Sequence, residues 1–227
     1  MSNFLSSSIG KKLIMSLSGL FLVVFLLVHL SINLLILFDS TGGLYNEAVH
    51  FMGTNPLIKV MEPVLAIGFI VHIVYATILT LQNQKATPTK YNVTQKTKTF
   101  SWASKNMYIL GFAVLAFLVL HIIQFYVKMK ITDTAPIVEA TGGHDGYKLV
   151  TDLFTQHGTL SYVYCAVYVL AGILLGLHIR HGFWSAFQTI GWNNYTWKSR
   201  LFTLATIFAW VIAIGYSILP LYMTFFL

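Results

Sequence analysis

The sequence predicts an all-α integral membrane protein in which five transmembrane helices make up a single domain over residues 1–227. Three observations carry that expectation. Only 9% of the residues are charged and 56% are apolar, whereas a soluble domain carries about 25% charged residues to solvate its surface. The mean hydropathy is +0.72, and the apolar residues gather in runs long enough to cross a bilayer. The charges between those runs also alternate in sign from one connection to the next.

The first run extends from Leu13 to about Phe38, behind Lys11 and Lys12. It is too long for the apolar stretch of a cleaved signal peptide and lacks a small-residue cleavage pattern. The second spans about 60–81, with Pro56 and Pro63 marking its entry and Thr87-Pro88 closing it. The third covers about 106–127. The fourth is apolar from Leu160 to Ile179, and its pattern stays helical to Phe187. The fifth covers about 201–226, with Pro220 expected to bend its last turns. At 1.5 Å per residue each is long enough for a hydrocarbon core of about 30 Å. The segment from Lys128 to Thr159 reads as an ordered loop or short interfacial helix, and no soluble domain is expected.

Lys11, Lys12, Lys85, Lys90, Lys96, Lys98, Lys105, Arg180, Lys198 and Arg200 fall on one side with no acid among them. Lys59, Lys128, Lys130 and Lys148 share the other side with all seven acids: Asp39, Glu47, Glu62, Asp133, Glu139, Asp145 and Asp152. The positive-inside rule then puts the N-terminus in the cytoplasm and the C-terminus outside. The net charge of +7 is thus a record of topology and not a nucleic-acid footprint. Trp102, Trp184, Trp192 and Trp197 flank the inner interface as anchors. The single cysteine, Cys165, excludes a disulfide framework or an iron–sulfur cluster and reads as a small buried residue.

His29, His72, His121 and His178 lie one apiece in the first four spans. An imidazole in hydrocarbon needs a partner, and one per helix over four helices is hard to explain as packing. Haem iron takes two axial ligands from facing helices, whereas zinc gathers three or four ligands at one point. His29 follows Lys12 by 17 residues and His121 follows Lys105 by 16. Both therefore stand about 25 Å above the inner surface and suit one haem near the outer face. His72 precedes Lys85 by 13 residues, or about 20 Å, but His178 precedes Arg180 by only two. Those two reach the same depth only if the fourth helix continues through His181-Gly182-Phe183-Trp184 towards Gln188. Arg180 would then stand near the inner haem, where it can pair with a propionate, or serve as an ordinary positive-inside residue. Two axial histidines fill the iron's coordination sphere, so such haems carry electrons. His181 reads as interfacial, and His50, His144 and His157 read as exposed. Gly19 and Gly111, ten residues before His29 and His121, leave room for a porphyrin edge or for helix packing.

Two stretches carry a family resemblance: Ser18-Gly19-Leu20-Phe21 leading to His29-Leu30-Ser31-Ile32-Asn33, and His178-Ile179-Arg180-His181-Gly182-Phe183-Trp184-Ser185-Ala186-Phe187-Gln188-Thr189-Ile190-Gly191. With five spans and an inside N-terminus, the chain resembles the cytochrome b membrane-anchor subunit of succinate:quinone oxidoreductases (succinate dehydrogenase and fumarate reductase), in the five-helix form with two b haems. The resemblance implies that His72 and His178 bind the proximal haem and His29 and His121 the distal one. It implies a flavoprotein and an iron–sulfur subunit as partners on the cytoplasmic face of a bacterial membrane. It also implies a quinone, menaquinone in the first instance, reacting near the outer haem, with Glu62 or Glu47 as candidate proton-handling groups. Some relatives carry a glutamate just before the fourth-helix histidine. Here that stretch is Leu174-Leu175-Gly176-Leu177, which gives no support to a proton route at that point. Two other readings share parts of the pattern: a dihaem quinone-reactive subunit of a hydrogenase or formate dehydrogenase, and a transporter whose histidines bind a metal or relay protons.

Overall fold

The computed structural model describes residues 7–86, 106–138, 142–192 and 194–227. Seven helices account for most of them: α1 (Ser8–Leu34), α2 (Gly43–Thr54), α3 (Pro56–Ala86), α4 (Met107–Lys130), α5 (Gly146–Thr155), α6 (Thr159–Thr189) and α7 (Tyr195–Phe226). Helices α1, α3, α4, α6 and α7 are long and apolar enough to cross a membrane. They run alternately up and down as a multi-pass membrane bundle. Each begins or ends a few residues beyond the predicted apolar run, because the helical hydrogen-bond ladder continues where hydrophobicity stops. Side chains such as Val24, Ile67, Phe112 and Trp210 are more than half exposed. Such a surface is comfortable only where lipid replaces water.

The bundle closes most tightly between α6 and α7. Gly172 and Gly176, one turn apart, let α7 approach so near that a Cβ on Gly176 would stand 2.8 Å from the Ala209 carbonyl oxygen. Van der Waals packing of this small-residue kind is what drives helix association in lipid, where water exclusion does not. Helix α1 lies centrally, with Leu30 filling the space over Gly215 of α7 and Phe21 lying against Gly68 of α3. The Tyr216 hydroxyl donates to the Leu26 carbonyl at 2.8 Å. Helix α3 leans on α1 and buries none of its residues fully. Pro56 opens α3 at a position where a missing N–H costs nothing. Pro63 and Pro220 both lie inside helices that continue past them, so Pro220 does not end α7. Cys165 is buried, as expected.

One end of the bundle carries a cap that the apolar runs do not announce. Helix α2 falls in the connection between the first two spans and α5 in the long segment after the third. Asn46 joins them by donating to the Asp145 carboxylate and accepting from the Tyr147 N–H, both at 2.9 Å. Gly42 has φ +78°, and a Cβ there would collide with the Tyr147 ring, so backbone and space both require glycine. The Tyr147 hydroxyl donates to the Ser40 carbonyl at 2.9 Å. Tyr45 is buried beneath, its phenol pushed up to about 12 by loss of solvent. His144, expected to be exposed, is half-buried 3.3 Å from Asp133, whereas His50 and His157 are exposed as expected.

Asp39 anchors the turn into α2, accepting from the Thr41 hydroxyl and N–H and from the Leu44 N–H. These bonds hold its carboxyl below the ordinary 3.8. A depressed acid stabilises the fold above its unfolded value and ceases to do so as pH falls through its folded value. Amide exchange at Thr41 and Leu44 should therefore stay slow down to the usual carboxylate range and rise below it, and Asp39→Ala should remove the protection at every pH. At the helix contact, Gly176→Leu should lower stability in thermal unfolding by about 1–3 kcal/mol, the usual cost of overpacking.

Candidate functional site: two stacked histidine pairs

All four membrane histidines turn inward and meet in two pairs. The ring centres of His29 (α1) and His121 (α4) are 5.8 Å apart. Those of His72 (α3) and His178 (α6) are 6.3 Å apart. The second pairing requires α6 to stay helical past Arg180, and it does so as far as Thr189. Gly19 and Gly111 fix the relative depths. A Cβ on Gly19 would lie 3.2 Å from the His72 ring, and one on Gly111 would lie 3.4 Å from the His178 ring. Each glycine therefore serves the histidine of a neighbouring helix. Since each precedes the other pair's member on its own helix by ten residues, the pairs are stacked about 15 Å apart along the bundle.

The rings are held by distinct means. Ser18 donates its hydroxyl proton to the Met15 carbonyl at 3.1 Å. Its oxygen is therefore left to accept from His72 Nδ1 at 3.4 Å. An Nδ1–H donated to Ser18 leaves the Nε2 lone pair free for a metal. His29 stacks on Phe25 at 5.4 Å and lies beside Tyr216. His121 lies among Phe117, Phe125 and Tyr168. The Nδ1 atoms of His121 and His178 are buried with no hydrogen-bond partner, a costly state for a polar atom in an apolar interior. Among the described residues no three of His, Cys, Asp or Glu converge as a metal-binding group. A bare zinc ion would thus find two of the four ligands it takes. Two imidazoles bonded to opposite sides of one metal at about 2 Å have ring centres about 6 Å apart, which both pairs match. The donor set suits a metal whose remaining ligands come from a macrocycle.

The other predicted residues are arranged differently. Arg180 lies two residues from His178 and so about 200° around the helix. Its Nε donates to Thr206 at 3.3 Å and its guanidinium stands 5.2 Å from the Phe202 ring. These contacts bind α6 to α7. Glu62 precedes His72 by ten residues, which carries it about 15 Å towards the capped end, level with the outer pair. There it forms an ion pair with Lys130 at 3.0 Å. Glu47 is exposed on α2. Lys90, Lys96, Lys98, Trp102, Lys105 and Glu139 lie outside the described residues.

Sequence reasoning missed Gln124 and Tyr168. Gln124 is 8% exposed in a π-helical turn, Ile122–Tyr126, that directly follows His121. Its side-chain oxygen accepts from the Tyr168 hydroxyl at 2.5 Å. A glutamine in an apolar run three residues after a candidate ligand was the available signal, since a lone amide in hydrocarbon needs a partner. Turns of this wide kind gather at functional sites. Comparison with protein-family models, curated proteins and solved structures finds no match to this chain.

Tyr168→Phe should strand the Gln124 carbonyl and lower stability by about 1–3 kcal/mol. Adding Gln124→Leu should recover most of that loss in a double-mutant cycle of unfolding free energies.

Proposed function

We propose that the protein is a dihaem cytochrome b membrane anchor of the succinate:quinone oxidoreductase type, passing electrons between a cytoplasmic iron–sulfur subunit and a membrane quinone. The stacking of two histidine pairs, each spaced for one metal, is the observation that carries this reading. His72 and His178 would hold the inner b haem and His29 and His121 the outer one. A haem held by each pair would supply one-electron transfer. The chain's own part is to fix the imidazoles, exclude water and keep the two centres in register across the bilayer. Ser18 orients His72, and the aromatic walls around His29 and His121 hold the outer site dry. Gly19 and Gly111 keep space beside the inner pair.

The charge distribution supports an inside N-terminus and so places the inner pair nearer the cytoplasmic face, where a flavoprotein and an iron–sulfur subunit would dock. The quinone, menaquinone in the first instance, reacts at the outer side, and Glu62 at the depth of the outer pair is the favoured carboxylate. This chain has no dicarboxylate site in the reading and should not oxidise succinate by itself.

A reduced-minus-oxidised spectrum with a pyridine haemochrome assay of the purified protein should give two b haems per chain, and His29→Ala and His72→Ala should each remove one. Ser18→Ala should keep both histidines yet weaken haem retention at the His72 pair by roughly 10–100-fold, measured as transfer to a haem-scavenging protein. Protein made with ample haem that contains none would overturn the reading and bring forward a metal or proton transporter.

A further inference from the structure

A polar chamber of about 190 Å³ lies between the capped end of α4, the segment after it and α5. Gln124 lines it from the side of the histidines, Lys128 and Thr134 line one wall, and Leu149, Asp152 and His157 another. At about 30 Å³ per water it has room for about six, and its donors and acceptors satisfy the condition for a cavity to hold them. His157 and Thr134 are exposed at the mouth, whereas Gln124 is buried at the far end. The Gln124 side-chain oxygen is engaged by Tyr168, which leaves its NH₂ group for the chamber. Behind that bond the Tyr168 ring centre stands 6.1 Å from that of His121. The chamber therefore reaches from the surface to within one side-chain layer of the outer histidine pair.

His157 is set up as a base at the mouth. Its Nδ1 lies 2.9 Å from the Asp152 backbone carbonyl. Since a carbonyl only accepts, Nδ1 carries the proton and the lone pair resides on Nε2. The Ser161 hydroxyl accepts from the His157 N–H at 3.1 Å and fixes the turn that presents the ring. Among the described residues, the titratable groups facing the chamber or the His157 ring are Lys128 from α4, Asp152 from α5, His157 from the α5–α6 turn and Tyr164 from α6, whose ring centre stands 6.0 Å from that of His157.

We propose that this chamber is a hydrated proton port serving the outer histidine pair, with His157 Nε2 as the group that exchanges protons with the aqueous phase. Hydration of the chamber stands on its geometry alone. The use of the port in quinone chemistry rests on the function proposed above. A hydroquinone oxidised at this end would give its two electrons to the group that His29 and His121 would hold. Its hydroxyl hydrogens leave as protons, through chamber water to His157 and from there to the bulk. Reduction of a quinone runs the same path inward.

Two measurements on the full chain in sealed membranes test this. With the buried Cys165 replaced by serine, Gln124→Cys should react with a small, charged, membrane-impermeant thiosulfonate added on the α2/α5 side. The reaction should be faster by an order of magnitude than that of Ile123→Cys, whose neighbouring side chain faces lipid, because thiolate forms in water and not in hydrocarbon. Leu149→Cys on the opposite wall gives a second probe should the first variant fold poorly. Equal inertness at positions 124, 149 and 123 would show a sealed chamber and overturn the port. In the assembled complex, His157→Gln should slow quinol oxidation by roughly tenfold or more and flatten its pH profile, with haem content unchanged. An unaltered profile at full haem content would remove the proton role from His157. Wild-type protein without haem would instead count against the proposed function, and the thiol labelling would still decide whether the chamber is open to water.

Discussion

An imidazole carried into hydrocarbon on a transmembrane helix has no water to bond, and an unpaired polar group there is costly. Four helices of this bundle each carry such a ring, and the packing brings the rings together two by two, with the Nδ1 atoms of His121 and His178 left without a hydrogen-bond partner among the described residues. The pairing requires α1 against α4 at one depth and α3 against α6 about 15 Å away, a register that four antiparallel helices meet only with their rises matched. The small residues follow from the same demand. Gly19 and Gly111 give a neighbouring helix's histidine the space that a methyl group would narrow, and Ser18 is a hydrogen-bond partner for the one ring within its reach.

Stability in the bundle comes from elsewhere. The tight seam between α6 and α7 involves none of the four rings' helix pairings, since α7 carries no histidine. It uses backbone approach at Gly172 and Gly176, backed by Arg180 on Thr206 and Phe202. Helix α3, by contrast, buries none of its residues fully although it carries His72. The molecule thus joins a closely packed α6–α7 seam to a helix, α3, that packs mainly on α1.

The capped end adds a polar layer over the apolar bundle. Asn46, Asp145 and Tyr147 tie α2 to α5, and the same layer encloses the chamber that ends at Gln124. Between that amide and His121 stands only Tyr168. Polar side chains near the His29–His121 pair include Gln124 and Tyr168 on the chamber side, Asn33 on the His29 carbonyl and Tyr216 beside the His29 ring.

The helical class, the five spans and the four inward histidines were legible in the sequence, because lipid imposes long apolar runs and makes every polar residue within them conspicuous. The pairing of His29 with His121 was legible too, since helical rise converts residue spacing into depth. The depth of His178 depended on whether α6 continued past Arg180, which hydropathy cannot decide because a helix does not stop where apolarity does. The direction of Arg180 towards α7 was likewise undetermined, as it depends on which neighbour occupies that face. A short helix between Lys128 and Thr159 was among the expectations and α5 is one, but α2 is too short to register as an apolar run, and its bonds to α5 join segments about a hundred residues apart. The Gln124–Tyr168 bond spans 44 residues, and the chamber behind it is bounded by side chains from three separate segments. Spacing along one helix could fix depth; the contents of a space between helices were decided only by how the helices packed.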